Sequence, residues 1–532
     1  MSKDRDRAFF GHPAGLSTLF FTEMWERFSY YGMRAFLIFY LTRATTLGAL
    51  GMSDVSGGLV VGLYTSSVYL LSLPGGWIAD RFLGQRNAVT YGGICIAAGN
   101  ALLAMPTSSL LYPGLALAAL GTGLLKPNVS TIVGQLYSDE DPRREAGFTI
   151  YYMGINIGAF GAPFVCGFLA ESETFRGFLA SHGLDPALSW KFAFGAVAIG
   201  MVAGLIQYLF GQGRLGEAGA KPTVPTDPAR AARDRQILGG IIGVLVAVGA
   251  LCVVFRDSLT ADLIGNVFPV ILAVLSVALF TGLYLSGRDA GERRRVIAMI
   301  PLFLGAIAFF GIFEQASSTL NLFAARNTTP GFLGFMIPSY YQSVNSVFII
   351  ALAPAFAWLW IALGRRGKEP SSVNKFGIGM LLITVSFVIM LPTLAAEAAG
   401  VIGGSGPDAA DYKEKVSGVY LFGLYFFYTC SELCISPVGL ASMSRLAPKR
   451  LAGMVMGTWF LGTSIGNYIA GQAAGFSSTR GHDFLYYTII VSSLAVAAGL
   501  FVVAPLIRKM MSAGDAGGAP APLPKAQAVS QD

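Results

Sequence analysis

Long apolar runs alternate with short polar connections along almost the whole chain. They fall near residues 16–41, 55–79, 87–106, 109–137, 147–171, 189–210, 236–255, 263–286, 297–324, 332–363, 376–396, 416–440, 452–475 and 484–507. Each reaches about 20 residues, the length at which an α-helix crosses the hydrocarbon core of a bilayer. In lipid every backbone N–H and C=O must be satisfied inside the segment, so such runs read as helices. The pattern predicts about fourteen spans in an all-α, polytopic membrane protein.

The first run departs from the pattern. Glu23-Met-Trp-Glu-Arg-Phe-Ser-Tyr-Tyr-Gly-Met-Arg34 places four full charges inside it, each costing about 2.5–3.5 kcal/mol at the centre of an isolated spanning helix. At about 100° per residue, Arg34 lies roughly 20° round from Glu23, Arg27 about 40°, and Tyr30 about 20° the other way. Glu26 and Tyr31 flank that line. One charged face on a membrane helix is expected to look into a water-filled cavity within the protein. A soluble helix with ordinary i,i+4 ion pairs is the competing reading, and the apolar remainder of the chain speaks against it.

Composition agrees. Of 532 residues, 54% are hydrophobic and only 13% charged, against about 25% charged in soluble domains. The net charge of +7 is scattered over short loops, so it is no nucleic-acid signal. Cys95, Cys166, Cys252, Cys430 and Cys434 all fall in apolar runs, without the His or further Cys a metal site needs. Basic residues crowd alternate connections: Arg81 and Arg86, Arg143 and Arg144, Arg214 to Arg235, Arg288 to Arg295, Arg365 to Lys368, and Arg445 to Arg450. Lys413 and Lys415 are the main exception in the opposite set. The positive-inside rule with an even span count then places both termini in the cytoplasm. Gly211 to Asp234, rich in Gly, Ala, Pro and charge, reads as a flexible linker. The two spans after it are almost free of ionisable groups. The segment from Ala513 to Asp532 reads as a disordered tail.

Glu23-x-x-Glu-Arg-Phe-x-Tyr-Tyr-Gly32 resembles the first-helix motif of the proton-dependent oligopeptide transporters of the major facilitator superfamily, bacterial type. Gly75-Gly-Trp-Ile-Ala-Asp80-Arg81-Phe-Leu-Gly-Gln-Arg86 resembles the cytoplasmic signature loop of that superfamily. Simple positive-inside anchoring is the alternative for the arginines, and it leaves Asp80 unexplained. Gly121-Thr-Gly-Leu-Leu-Lys126-Pro-Asn128 sets a lysine mid-span, where snorkelling competes with pairing. Phe148-Thr-Ile-Tyr-Tyr-Met-Gly-Ile-Asn156 matches a fifth-span signature of the same family. Phe310-Gly-Ile-Phe-Glu314-Gln315, Gln342 with Asn345, Ser431-Glu432 and Gly457-Thr-Trp459 to Thr463 are similar to second-half motifs. There are two departures. Phe310 stands where the family often has Trp, and Ser431 where it more often has Gly.

The resemblance implies two six-helix bundles, residues 1–211 and 296–510. A cytoplasmic linker and an inserted helix pair would occupy 212–295, and a cytoplasmic tail 511–532. It implies proton symport of di- and tripeptides by alternating access across a bacterial inner membrane, by a monomer, with no cofactor but the coupling proton and no catalysis. Arg34 and Lys126 are expected to hold the peptide carboxylate, and Glu432, Asn156 and Asn345 its ammonium. Tyr30, Tyr69, Phe310, Trp459 and Thr463 are expected to line side-chain pockets, with Tyr64 competing with Tyr69. Glu23, Glu26, Arg27, Glu314 and Glu432 would couple protons, since His12, His182 and His482 fall in loops. Arg34–Glu314 would gate the periplasmic side and Lys126–Glu432 the cytoplasmic side, with Asp80, Arg81 and Arg86 locking cytoplasmic helix ends. Two other readings compete. The same architecture carrying another cargo is one. A membrane enzyme is the other, and it lacks any Ser–Lys dyad or His/Asp cluster in the sequence.

Overall fold

The structure is a computed structural model describing residues 8–105, 107–138, 141–223, 227–254, 261–404, 406, 414–446 and 451–512. The tail from Ala513, the first seven residues, and the loop cations Arg256, Lys413, Lys449 and Arg450 lie outside the described residues.

The helices in chain order are α1 Ala14–Thr42, α2 Asp54–Ile78, α3 Gln85–Ala104, α4 Leu111–Gln135, α5 Arg144–Glu171, α6 Glu173–Ser181, α7 Ser189–Gly211 and α8 Pro228–Val254. Then follow α9 Ala261–Leu285, α10 Ala290–Phe313, α11 Thr319–Arg326, α12 Tyr341–Arg365, α13 Ser372–Val388, α14 Leu391–Ala398, α15 Val419–Leu446 and α16 Ala452–Ser512. Among the described residues the only β-pairing is two isolated bridges. Twelve of these helical stretches are long and apolar enough to span a membrane. Two more spans belong with them: α1 carries its four charges, and α16 is two helices joined where Gly481 takes φ 92°. The fourteen expected spans are therefore present.

The run 297–324 is not one helix. α10 stops at Phe313, Glu314–Ser317 forms a 3-10 turn, and α11 follows. The sequence Glu314-Gln-Ala-Ser-Ser-Thr319 explains the break, because short polar side chains offer the backbone competing hydrogen bonds. Ser317 Oγ donates to the Glu314 carbonyl at 3.0 Å, and Ser318 Oγ reaches across to the Ala470 carbonyl at 2.9 Å.

Helices α1–α7 and α10–α16 form two sets, each built round its own apolar core, with Leu59 of α2 joining the core of the second and Leu322 and Ala474 that of the first. The sets meet along α2–α16 and α5–α12. The first seam is glycine-lined: a Cβ at Gly62 would lie 3.0 Å from the Gly471 Cα. Ser66 and Ser464 hydroxyls close it at 2.7 Å. Helix α9 packs on α2, α10 and α16, whereas the apolar stretch of α8 buries nothing. An even number of spans brings the start of α1 and the end of α16 to one end of the bundle, here the terminal end. The connections 43–53, 172–188 and 327–340, with the described residues of 399–418, lie at the opposite, far end.

The connection after α7 is not the flexible linker its composition predicts. Residues 212–223 lie as a strap on the ends of α3 and α4. Arg86 donates to the carbonyls of Ala218 at 2.7 Å and Gly216 at 2.5 Å, and Gly219 N–H to Gln135 at 2.6 Å. Thr223 N–H reaches the Asp80 carbonyl at 2.7 Å, and Leu215 is buried. Fixed donors on the signature loop offset the entropy that Gly and Ala would otherwise keep.

Candidate functional site

The charged face of α1 is buried inside the protein. Glu23, Glu26, Arg27 and Arg34 are each at most 5% exposed. Arg27 Nε lies 3.1 Å from Glu23 and 2.5 Å from Glu26, so one guanidinium serves two carboxylates. The second oxygens of both, Glu23 Oε2 and Glu26 Oε1, have no hydrogen-bond partner among the described residues. Close packing of α5 on this helix depends on Gly158, where a Cβ would meet Arg27 Cβ at 3.1 Å. Lone buried charges cost several kcal/mol each, so the shared arginine and nearby cation are what make the cluster tolerable. That cation is Lys126 on α4. Its ammonium sits 3.7 Å above the Tyr69 ring centre.

About two turns along α1 from Arg27, Arg34 forms a buried ion pair with Glu314 at the α10 break. It also approaches the Glu314 carbonyl at 3.5 Å. This pair joins the two helix sets. The other expected pair is not formed: among the described residues no cation pairs with Glu432. Its carboxylate accepts from Asn345 Nδ2 at 3.1 Å, and the same amide reaches Thr429 at 3.0 Å.

Arg34, Asn156, Asn345 and Glu432 line one cavity. It lies between α1, α5, α10, α12 and α15, and is completed by Tyr31, Tyr152, Phe313, Gln342, Tyr425 and Tyr428 among others. The expected pocket residues divide. Tyr30 does not line this cavity; it is buried toward Tyr64, with Arg27 5.1 Å from its ring centre. Tyr31, one position on, takes the place expected of it. Tyr69 is engaged by Lys126, and neither it nor Tyr64 lines the cavity. Phe310 and Trp459 meet edge-on at 5.7 Å in the apolar core of the second set. Thr463 donates to the Trp459 carbonyl of its own helix at 3.0 Å and is buried. Asn156 donates to the Tyr152 carbonyl at 3.0 Å, leaving its oxygen for the cavity.

On the signature loop, Asp80 accepts from Gln85 at 2.7 Å, Arg81 faces Asp234 at 3.7 Å, and Arg86 holds the strap. The three residues thus grip the connection to α8. Two ion pairs, one buried and one half-buried on its arginine side, escaped sequence reasoning altogether. Arg326 on α11 grips Asp54 on α2 through two bonds of 2.6 and 2.8 Å, and Arg43 pairs with Glu171 at 2.6 Å. All four stand at or next to helix ends, where a charge is unremarkable in sequence. Among the described residues no group of three His, Cys, Asp or Glu side chains is placed to hold a metal.

Comparison with known proteins places this architecture. "Uncharacterized transporter YclF" of Bacillus subtilis is 37% identical over 511 residues, covering 95% of this chain and 96% of the relative. "Di-/tripeptide transporter" of Lactococcus lactis subsp. cremoris is 36% identical over 522 residues, covering 95% and 98%. Among solved structures, "peptide transporter POT in complex with sulfate" superposes with a TM-score of 0.82 at 35% identity, covering 96% of this chain and 99% of that one. A POT family transporter in complex with 5-aminolevulinic acid superposes at 0.81 and 32% identity, covering 94% and 98%. A sequence model of the POT family matches residues 86–490, and with these relatives it shows that the chain is a multi-pass membrane protein belonging to the POT family.

Proposed function

We propose that this chain is a proton-coupled symporter carrying di- and tripeptides across a bacterial cytoplasmic membrane by alternating access, both termini being cytoplasmic. The observation that carries the reading is the polarity of the cavity. One wall presents the Arg34 guanidinium, and the other a Glu432 carboxylate whose only partner among the described residues is an amide. A peptide zwitterion offers a carboxylate to the first and an ammonium to the second, while its side chains meet Tyr31, Tyr152, Tyr425 and Tyr428. Charge-assisted bonds at the two ends orient any short peptide, so the tyrosines need only be adaptable. The names of relatives such as the Lactococcus di-/tripeptide transporter support the cargo class.

Protons enter through charge balance. Arg27 serves Glu23 and Glu26 together, so a proton on either carboxylate leaves the other paired. The buried Arg34–Glu314 contact closes the far, periplasmic end, and Lys126 swings from Tyr69 to Glu432 when the terminal, cytoplasmic end closes in turn. Lys126 then acts on the cargo through that gate rather than from the described cavity wall. The working unit is the monomer, because the cavity is completed within one chain, and no cofactor other than the proton is required.

Counterflow of labelled dialanine in proteoliposomes, with product analysis and a 5-aminolevulinic acid competitor, tests this. Intact dialanine should exchange, and a pH gradient should drive its accumulation. Exchange of the competitor alone would show another small amphoteric cargo. Hydrolysis would show an enzyme.

A further inference from the structure

Besides the Arg34–Glu314 contact and the Asp54–Arg326 pair, a third carboxylate reaches across the seam at the far end. Glu171, the last residue of α5, is buried, its side chain only 2% exposed. One oxygen faces Arg43 of its own helix set at 2.6 Å. The other accepts from the backbone N–H of Ser339 at 3.3 Å and from the Ser339 hydroxyl, both in the opposite set. Ser339 is wholly buried in the 3-10 turn Pro338–Tyr340 that leads into α12. The first N–H groups of a helix lack partners within it, and an anion there is favourable. Glu171 therefore holds the 3-10 turn that enters α12 from outside its own helix set. One turn earlier on α5, Gly167 makes the seat: a Cβ there would lie 2.7 Å from Ser339 Cβ and 3.3 Å from Tyr340. The Ser339 hydroxyl also lies 3.2 Å from the Ala35 carbonyl, but it has one proton, and the ionised carboxylate is the stronger acceptor.

We infer that Glu171 and Ser339 form a latch that favours the state closed at the far end, independently of the coupling proton. When the sets part, Ser339 leaves with α12 while Glu171 keeps Arg43. The carboxylate has a counter-charge in both states, so opening asks no change of protonation from it. Glu314 differs, since opening takes away its arginine. Residues Glu171 and Ser339 act by positioning α12 and touch no cargo.

The inference rests on alternating access, and the experiment separates the two. Spin labels on Leu184→Cys and Val419→Cys, exposed at the far end of either set, with native cysteines replaced, report the separation by pulsed dipolar spectroscopy. Wild type should show a short and a long distance. Ser339→Ala removes the hydroxyl, and Gly167→Ala blocks the seat while leaving every hydrogen-bonding group in place. Both should raise the ratio of long to short several-fold, with the pH dependence of that ratio unchanged in slope. Two distances that neither variant shifts, or a slope altered by Ser339→Ala, would overturn the latch and leave alternating access standing. A single distance at every pH and peptide concentration sinks both.

Discussion

Glu314 meets Arg34 at the residue where α10 ends and the chain tightens into a 3-10 turn. The break matters to the pairing, because it puts a polar, non-α segment of the second helix set directly against the charged face of α1. Removing one partner from a buried pair leaves the other uncompensated, at about 3–5 kcal/mol. Thermal unfolding in detergent should therefore show Glu314→Gln and Arg34→Gln each strongly destabilised, and the double variant much less so than their sum. A non-additivity of about 2 kcal/mol is expected for groups in contact. Additive losses would mean that the two charges do not depend on one another.

Among the described residues Glu432 is tied only to Asn345, so its replacement by Gln should leave folding intact and remove the group that answers a peptide ammonium. Hydrogen bonds to charged groups contribute about 1.5–3 kcal/mol, so dialanine affinity should fall roughly ten-fold or more. An N-acetylated dipeptide, which has no ammonium, should bind wild type poorly and lose little further in Glu432→Gln. Binding to proteoliposomes by both ligands checks this. Equal losses for the two would take Glu432 away from the amino terminus of the cargo.

Much of this was legible before any coordinates. The i,i+4 relation of Glu23 to Arg27 and the cost of four charges in a spanning run pointed to one polar face turned into a water-filled cavity; the structure keeps that face inside the protein, but of its four charges only Arg34 lines the described cavity. The partner of Arg34 was different: nothing local links residues 34 and 314, and only the resemblance implied it. Residue-level orientation was harder still. Tyr30 and Tyr31 are neighbours on a helix whose polar face is wide, so periodicity does not decide which ring enters the cavity. Asp54, Glu171 and Arg326 were invisible because their contacts are made by distant helix ends meeting across the seam. The strap failed for the opposite reason. Its composition is that of a coil, and the order comes from donors on another loop, Arg86 above all.

Asp54 and Arg326 allow a test of charge against position. Asp54 sits in the first turn of α2 and Arg326 ends α11, so each also suits the dipole of its own helix. Asp54→Asn should cost several kcal/mol of stability, within the roughly 3–5 kcal/mol of a broken buried pair. Exchanging the two residues, Asp54→Arg with Arg326→Asp, restores the pair but sets each charge against its helix end, at about 0.3–1 kcal/mol apiece. Partial recovery of the unfolding temperature is the expected outcome. No recovery would show that the surrounding donors, rather than the pair, hold this contact.

The charged face of α1 should divide its labour along its length. Glu23 and Glu26 share Arg27 away from the described cavity, whereas Arg34 stands in its wall. Gln at position 23 or 26 mimics a carboxylate that is always protonated, so the proton is no longer bound and released in each cycle. Counterflow needs no net proton movement, so for Glu23→Gln and Glu26→Gln it should persist in part while pH-driven accumulation disappears. Arg34→Ala should act on binding instead. Truncating one partner of a desolvated charge pair costs about 2–5 kcal/mol, so peptide affinity should fall roughly 30-fold or more. Counterflow and pH-driven uptake, measured side by side for the three variants, decide it. If the two glutamine variants lose both activities while Arg34→Ala keeps its affinity, the helix does not separate protons from cargo in this way, and Glu314 and Glu432 would have to carry the coupling.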